Sequence, residues 1–254
     1  MLVGAESNIS LIFKRKTFDP KTSAMKFLIT LFIALSSLAL NAQFLLPKAG
    51  LTLSTFEVEN TSGMTSRMGL IAGVGYNINI GDKFSIQPEL NFVQKGSKSK
   101  SNFDEFPYGG GYIEYRSSDE ARLNYLQMPV MFKLTFGDAT KVYINAGPSI
   151  GFGLNGKGNF KTSVYEEDPF GYIFEYTDDR DYKILFKKEP DGYEGVDNYV
   201  DNRINLSLQV GGGVILMEKI IIDLRYGIGL TDLYDDGKSK FRVLQVTLGV
   251  PIRL

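Results

Sequence analysis

Four charged residues interrupt segments that otherwise alternate between apolar and small or neutral side chains. Glu89, Lys133, Asp223 and Arg225 each stand on the polar side of such a segment. Carboxylates and cations so placed could pair and plug a narrow hydrated space, or could select or gate ions in it. The chain has no histidine and no cysteine, which removes the commonest general base, the commonest metal ligand and all thiolate chemistry. A serine or threonine nucleophile would then need a lysine or carboxylate base, and no spacing supplies one. No catalytic residue, cofactor-binding residue or metal ligand is expected, and the chain reads as a non-enzyme without cofactors.

A second concentration of chemistry lies between residues 156 and 202. It holds ten aromatics, and twelve acidic groups face six basic ones between 157 and 202, so its surface must be solvated. Tyr172, Phe174, Tyr176 and Tyr182 make a candidate binding surface for a protein or glycan partner, because tyrosine-rich segments offer rigid contact area. The plainer reading is a strand extension ending in an acidic tip at Asp178, Asp179, Arg180 and Asp181, with Tyr182–Lys188 returning as a hairpin. Those aspartates lack the spacing of a calcium loop.

The elements that position these residues show in the alternation. From Met68 to Ile80 every second residue is apolar, with Gly69, Gly73, Gly75, Asn77 and Asn79 among those between. Successive strand side chains point to opposite faces, so the even-numbered residues here form a greasy face and the odd-numbered ones a wet face. The pattern recurs from about Pro47 to Phe56, from Phe84 to Phe92, from Leu126 to Phe136, from Val142 to Leu154, from Ile204 to Val214, from Ile222 to Leu230 and from Leu244 to Leu254. Pro88 implies a bulge in the third of these eight strands. Connections at 81–82, 137–140 and 217–219 are short, and those at about 57–66, 96–122, 156–202 and 232–240 are longer.

Eight amphipathic strands with short and long connections taking turns predict an all-β fold: an eight-stranded antiparallel up-and-down transmembrane β-barrel. Soluble barrels put apolar residues inside and charges outside. Here one face carries Glu89, Lys133, Arg203, Asp223 and Arg225, while the other is almost uncharged, as contact with outer-membrane lipid demands. Glu89 and Arg225 stand at similar heights on opposite strands, so they are expected to pair across a lumen that side chains fill. A narrow solute channel is the alternative. The formal net charge of −1 offers no basic surface for nucleic acid.

At the N-terminus, Met25-Lys26, the apolar stretch Phe27–Leu40 and Asn41-Ala42 read as a signal peptide over 25–42, too short to span a bilayer. Residues 1–24 are expected to be a non-native extension ahead of it. The barrel domain then covers 43–254 and keeps its termini on the periplasmic side of a bacterial outer membrane.

Several segments resemble the outer-membrane β-barrel family typified by PorT of Bacteroidota. They are Gln87-Pro88-Glu89-Leu90 running to Gln94-Lys95-Gly96, Leu126-Gln127-Met128-Pro129 before Lys133, Ala146-Gly147-Pro148, and Asp223-Leu224-Arg225-Tyr226 running to Gly229-Leu230-Thr231-Asp232. The resemblance spans roughly 45–254. It implies a small barrel of the cell envelope with a structural or interaction role, in a family whose type member is associated with type IX protein secretion.

Overall fold

The computed structural model describes residues 44–58, 64–108, 110–188, 190, 195, 197–235 and 239–253. The segments read as extension and signal peptide lie outside these residues. Eleven strands follow in order: β1 (Phe44–Val58), β2 (Met64–Asn79), β3 (Phe84–Glu105), β4 (Tyr112–Phe136), β5 (Thr140–Glu167), β6 (Ile173–Leu185), β7 (Asn198–Tyr199), β8 (Ile204–Leu216), β9 (Ile220–Gly229), β10 (Ser239–Gly249) and β11 (Ile252–Arg253). Eight of them close a ring in the order β4-β3-β2-β1-β10-β9-β8-β5, with β4 pairing β5 to complete it. Closure leaves the ring no open edge, which a sheet must achieve where no water can satisfy its backbone.

Alternation sets the two faces. On the outside Leu51, Leu70, Leu90, Met128, Ile144, Leu208, Leu224 and Val246 are exposed. On the inside Thr52, Gln87, Asn91, Gln127, Asn145, Gln209, Arg225 and Gln245 are buried. This inside-out distribution is the opposite of a water-soluble barrel and suits lipid on the outer face.

The expected eight strands are therefore the ring, but the connection at 96–122 and much of that at 156–202 are strand and not loop. Strands β3 and β4 pair continuously out to Glu105↔Ile113, and β4 pairs β5 out to Tyr112↔Glu167. Strand β6 then adds to β5 from Gly156↔Ile184 to Glu167↔Ile173. Four strands, β3 to β6, thus continue as one sheet past the rim. From Arg122 to Tyr112 that projection is about 30 Å long at 3.3 Å per residue. The turn closing β5 onto β6 sits at 168–172, where the Asp168 carboxylate accepts the backbone N–H groups of Phe170 and Tyr172 at 2.9 and 2.8 Å. The acidic run Asp178–Asp181 is therefore mid-strand and not a tip.

Pro88 produces no register shift: Pro88↔Val130 and Asn91↔Gln127 keep one register, so the lost donor only interrupts the ladder. The bulges fall between Ser66 and Ile71 and between Asn124 and Tyr125, both at the rim from which the sheet projects. Strand bending concentrates at such points.

Candidate functional site: a filled lumen beneath a projecting sheet

The lumen is packed in layers. Nearest the short turns, Leu46, Tyr143 and Ile221 form a small apolar cluster, with Phe44 and Ile215 against it. The next layer is charged. Strands β3 and β9 are four places apart in the ring, hence diametrically opposite, and Arg225 reaches across to Glu89 with two parallel bonds, Nη1 to Oε2 at 2.9 Å and Nη2 to Oε1 at 2.8 Å. Lys48 donates to Glu89 Oε2 at 2.6 Å, and the side-chain amides of Gln87 and Asn91 donate to the same carboxylate at 2.6 and 2.9 Å. Asp223 takes the other flank of the guanidinium. Its Oδ1 lies 2.6 Å from Arg225 Nε as an ion-pair contact without hydrogen-bond alignment, and its Oδ2 accepts from Nη2 at 3.2 Å. The Tyr143 hydroxyl and the Asn145 amide complete the Asp223 shell. Lys133 donates to Gln87 Oε1 at 2.6 Å and stands 4.3 Å above the Tyr143 ring. Two glycines on β8 make the room: a Cβ on Gly211 would fall 2.8 Å from Arg225 Cγ, and one on Gly213 would fall 2.4 Å from the Tyr143 hydroxyl.

Charges this far from water persist only when paired and hydrogen-bonded, and each carboxylate here has at least three donors or cations. All four charged residues singled out in the sequence meet in this layer. Lys48, Gln87 and Tyr143 complete it. Lys48 lies on the inward face of β1, and with no tight turn beside it on that strand its height cannot be counted from the residues alone. Arg203 does not join them. It is exposed at the start of β8, with its guanidinium 5.0 Å from the outward Phe152 ring.

Above the charges, Lys95 donates to Asn205 at 2.9 Å and lies about equally near the Tyr125 and Phe241 rings, at 4.9 and 5.1 Å. An apolar cap follows: Leu123, Tyr125, Ile184, Phe186, Val200, Leu233, Phe241 and Val243 are buried together. Ile184 and Phe186 belong to the segment after the β5–β6 turn, which folds its even-numbered side chains over the mouth. Tyr182 lies there too. It was expected on an exposed binding surface but is 9% exposed, and its hydroxyl donates to Asp119 at 2.6 Å. Alternation explains the difference, because Tyr182 points inward at a height where the barrel still has an interior. Burial, with Asp119 adding to it, raises the pKa of this phenol.

The remaining aromatics of that group are outside the lumen. Tyr172, Phe174 and Tyr176 are 68%, 61% and 62% exposed. Cross-strand register puts Tyr176 beside Val164, Val164 beside Tyr115 and Tyr115 beside Phe103, so four strands contribute one lateral apolar row. Phe103 and Tyr115 are in ring contact, with centroids 6.0 Å apart. In the next row Phe174 and Ile113 alternate with Glu166 and Glu105, which end the apolar surface on β5 and β3. Phe103, Tyr115 and Val164 escape a sequence reading because their stretches show no sustained apolar alternation, and only the cross-strand register brings them together. The aspartates do not converge: Asp178 pairs with Arg180 at 2.6 Å, whereas Asp179 and Asp181 on the other face accept from Asn159 at 2.8 and 2.9 Å.

The family model for the outer membrane protein beta-barrel domain matches residues 41–235, more than three quarters of the chain. No curated protein matches. Among solved structures, Ail, the attachment invasion locus protein of Yersinia pestis, is 11% identical, with 84% of this chain and 100% of that one covered and a TM-score of 0.40. Neisserial surface protein A is 10% identical over 81% of this chain and 96% of its own, also with a TM-score of 0.40. The translocator domain of the autotransporter NalP from Neisseria meningitidis is 11% identical over 91% and 97%, with a TM-score of 0.26. With its closed antiparallel ring, lipid-suited exterior and matched domain, the chain belongs to the outer membrane β-barrel protein family, and its place is the outer membrane.

Proposed function

We propose that this is a non-enzymatic barrel whose lumen is a structural plug and whose role is interaction through the projecting sheet. In this reading the β3–β4 and β5–β6 hairpins face outward from the cell, both termini lie on the periplasmic side, and the partner is a protein of a PorT-like secretion or envelope complex. The observation that carries it is the row Phe103, Tyr115, Val164 and Tyr176, continued by Phe174 and built by four strands above the membrane. Contiguous apolar surface at that distance from lipid serves recognition better than anchoring.

The test is affinity purification of the full chain from outer membranes beside the variant Phe174→Ser/Tyr176→Ser. A protein partner held by the wild type and lost from the variant supports the reading. Equal recovery from both, or loss of binding only after treatment with glycan-cleaving enzymes, contradicts a protein partner at this row.

The narrow-channel alternative has one supporting feature. The short-turn mouth opens into a cavity of about 500 Å³ lined by Asn77, Ser85, Lys133 and Thr135. The charged layer lies directly beyond Lys133.

A further inference from the structure

Outside the barrel wall, a row of cations lies just past the apolar belt. Arg122, Lys157 and Lys183 are directly opposite one another on β4, β5 and β6. Their parity puts all three on the outer face, the face that carries Leu126 and Phe152 lower down. On the far side of Arg122 the row continues at Gly96. The Arg67 side chain passes over that glycine, where a Cβ would fall 3.0 Å from Arg67 Cδ. Cationic side chains from β2, β4, β5 and β6 therefore share one level, with Gly96 of β3 leaving room for Arg67 between them. Like charges directly opposite in a sheet are destabilising unless an anion lies between them.

Among the described residues, the neighbouring carboxylates neutralise only the Arg67 end of the row. Glu120 accepts from Arg67 at 2.7 Å and pairs with Lys98 at 2.8 Å, and the Lys98 bond chiefly holds its carboxyl below the usual range. Asp181 accepts from Asn159 at 2.9 Å, and Asp197 accepts the backbone N–H of Lys183 at 3.2 Å. Among the described residues, Arg122, Lys157 and Lys183 make no side-chain ion pair or hydrogen bond. Together with these groups they line a cavity of about 500 Å³.

Depth identifies the ligand. The row Phe92, Leu126, Phe152 and Ile204 is apolar, the next row outward is Gln94, Asn124 and Asn155, and the cations follow. Two rows of two residues, tilted as barrel strands are, place the cations roughly 10 Å above the last apolar ring. Long side chains can reach down from there into the headgroup layer. An ammonium, Lys157, stands between the Arg122 guanidinium and the Lys183 ammonium, and such a line suits a phosphate, bidentate to the arginine and held by the point charges beside it.

We propose that Arg122, Lys157 and Lys183, with Arg67 at the end of the row, bind the phosphate monoester of a membrane lipid against the outer wall of the barrel. The assignment holds for either leaflet and does not depend on the partner surface proposed above. The test uses the full-length protein in neutral detergent micelles, with fluorescent phosphatidic acid as the probe and the matching diacylglycerol as its uncharged control. Binding is expected for phosphatidic acid and not for diacylglycerol. It should fall at least tenfold in Arg122→Gln/Lys157→Gln/Lys183→Gln and persist in Arg122→Lys. Heat-dependent gel mobility shows that each variant remains a folded barrel. Equal binding by the triple variant, or by diacylglycerol, overturns the site. Displacement by equimolar inorganic phosphate overturns the lipid-borne source.

Discussion

Glu89 is the residue on which the lumen turns. It receives Arg225, Lys48, Gln87 and Asn91 at 2.6 to 2.9 Å, so its charge cancels cations from two sides. Glu89→Gln keeps the shape and removes the charge, leaving Lys48, Lys133 and Arg225 with Asp223 alone. Breaking a buried pair from one side costs about 3–5 kcal/mol. Denaturant-induced loss of β-sheet circular dichroism in micelles should show a cost of that size. The double variant Glu89→Gln/Lys48→Met should cost less than the sum of its singles, because the second change removes a cation the first had orphaned. Additive losses would mean that Lys48 is held by something else. Tyr182→Phe should be milder, about 1 kcal/mol, for the single hydrogen bond to Asp119.

The strands of the ring were readable because one side meets lipid and the other does not. Leu244, Val246 and Leu248 against Gln245, Thr247 and Gly249 leave no doubt which face meets lipid, since a one-residue slip would reverse them. Above the rim that contrast ends, since both faces of the sheet meet water. Ser97-Lys98-Ser99-Lys100-Ser101 is polar at every position and has no apolar period, yet it is strand. Its conformation comes from its β4 partner and not from its own pattern. The heights of Glu89 and Arg225 were readable from turn to residue, because residues count directly into distance along a strand. Tyr182 was misplaced because the 156–202 segment showed where aromatics cluster but not where β6 meets β5. The cap it helps to form gives an element-level prediction. Phe186→Ala removes a buried ring packed on Tyr125, with centroids 5.4 Å apart, and should cost about 3–5 kcal/mol locally. Limited proteolysis should then cut the segment after β6 sooner than in the wild type, with the ring strands still protected. If the hairpins face outward, protease added to intact cells should cleave near 168–172 without reaching the ring.

As a whole, the barrel is proposed to be closed to passage and open to contact. A small apolar cluster narrows the short-turn end beside its polar cavity, two carboxylates and three cations fill the middle, and an apolar cap covers the end from which the sheet rises. Eight strands leave room for little more than side chains, and these side chains are large and mutually bonded. Recognition is therefore assigned to the outer surfaces, the four-strand apolar row above the membrane and the cation row at the headgroup layer. The most direct test of this division is conductance of the purified full-length protein in planar lipid bilayers. A sealed lumen predicts no stable open state in the wild type. A steady, ion-selective conductance that changes selectivity in Glu89→Gln would contradict the account and establish the lumen as a pathway.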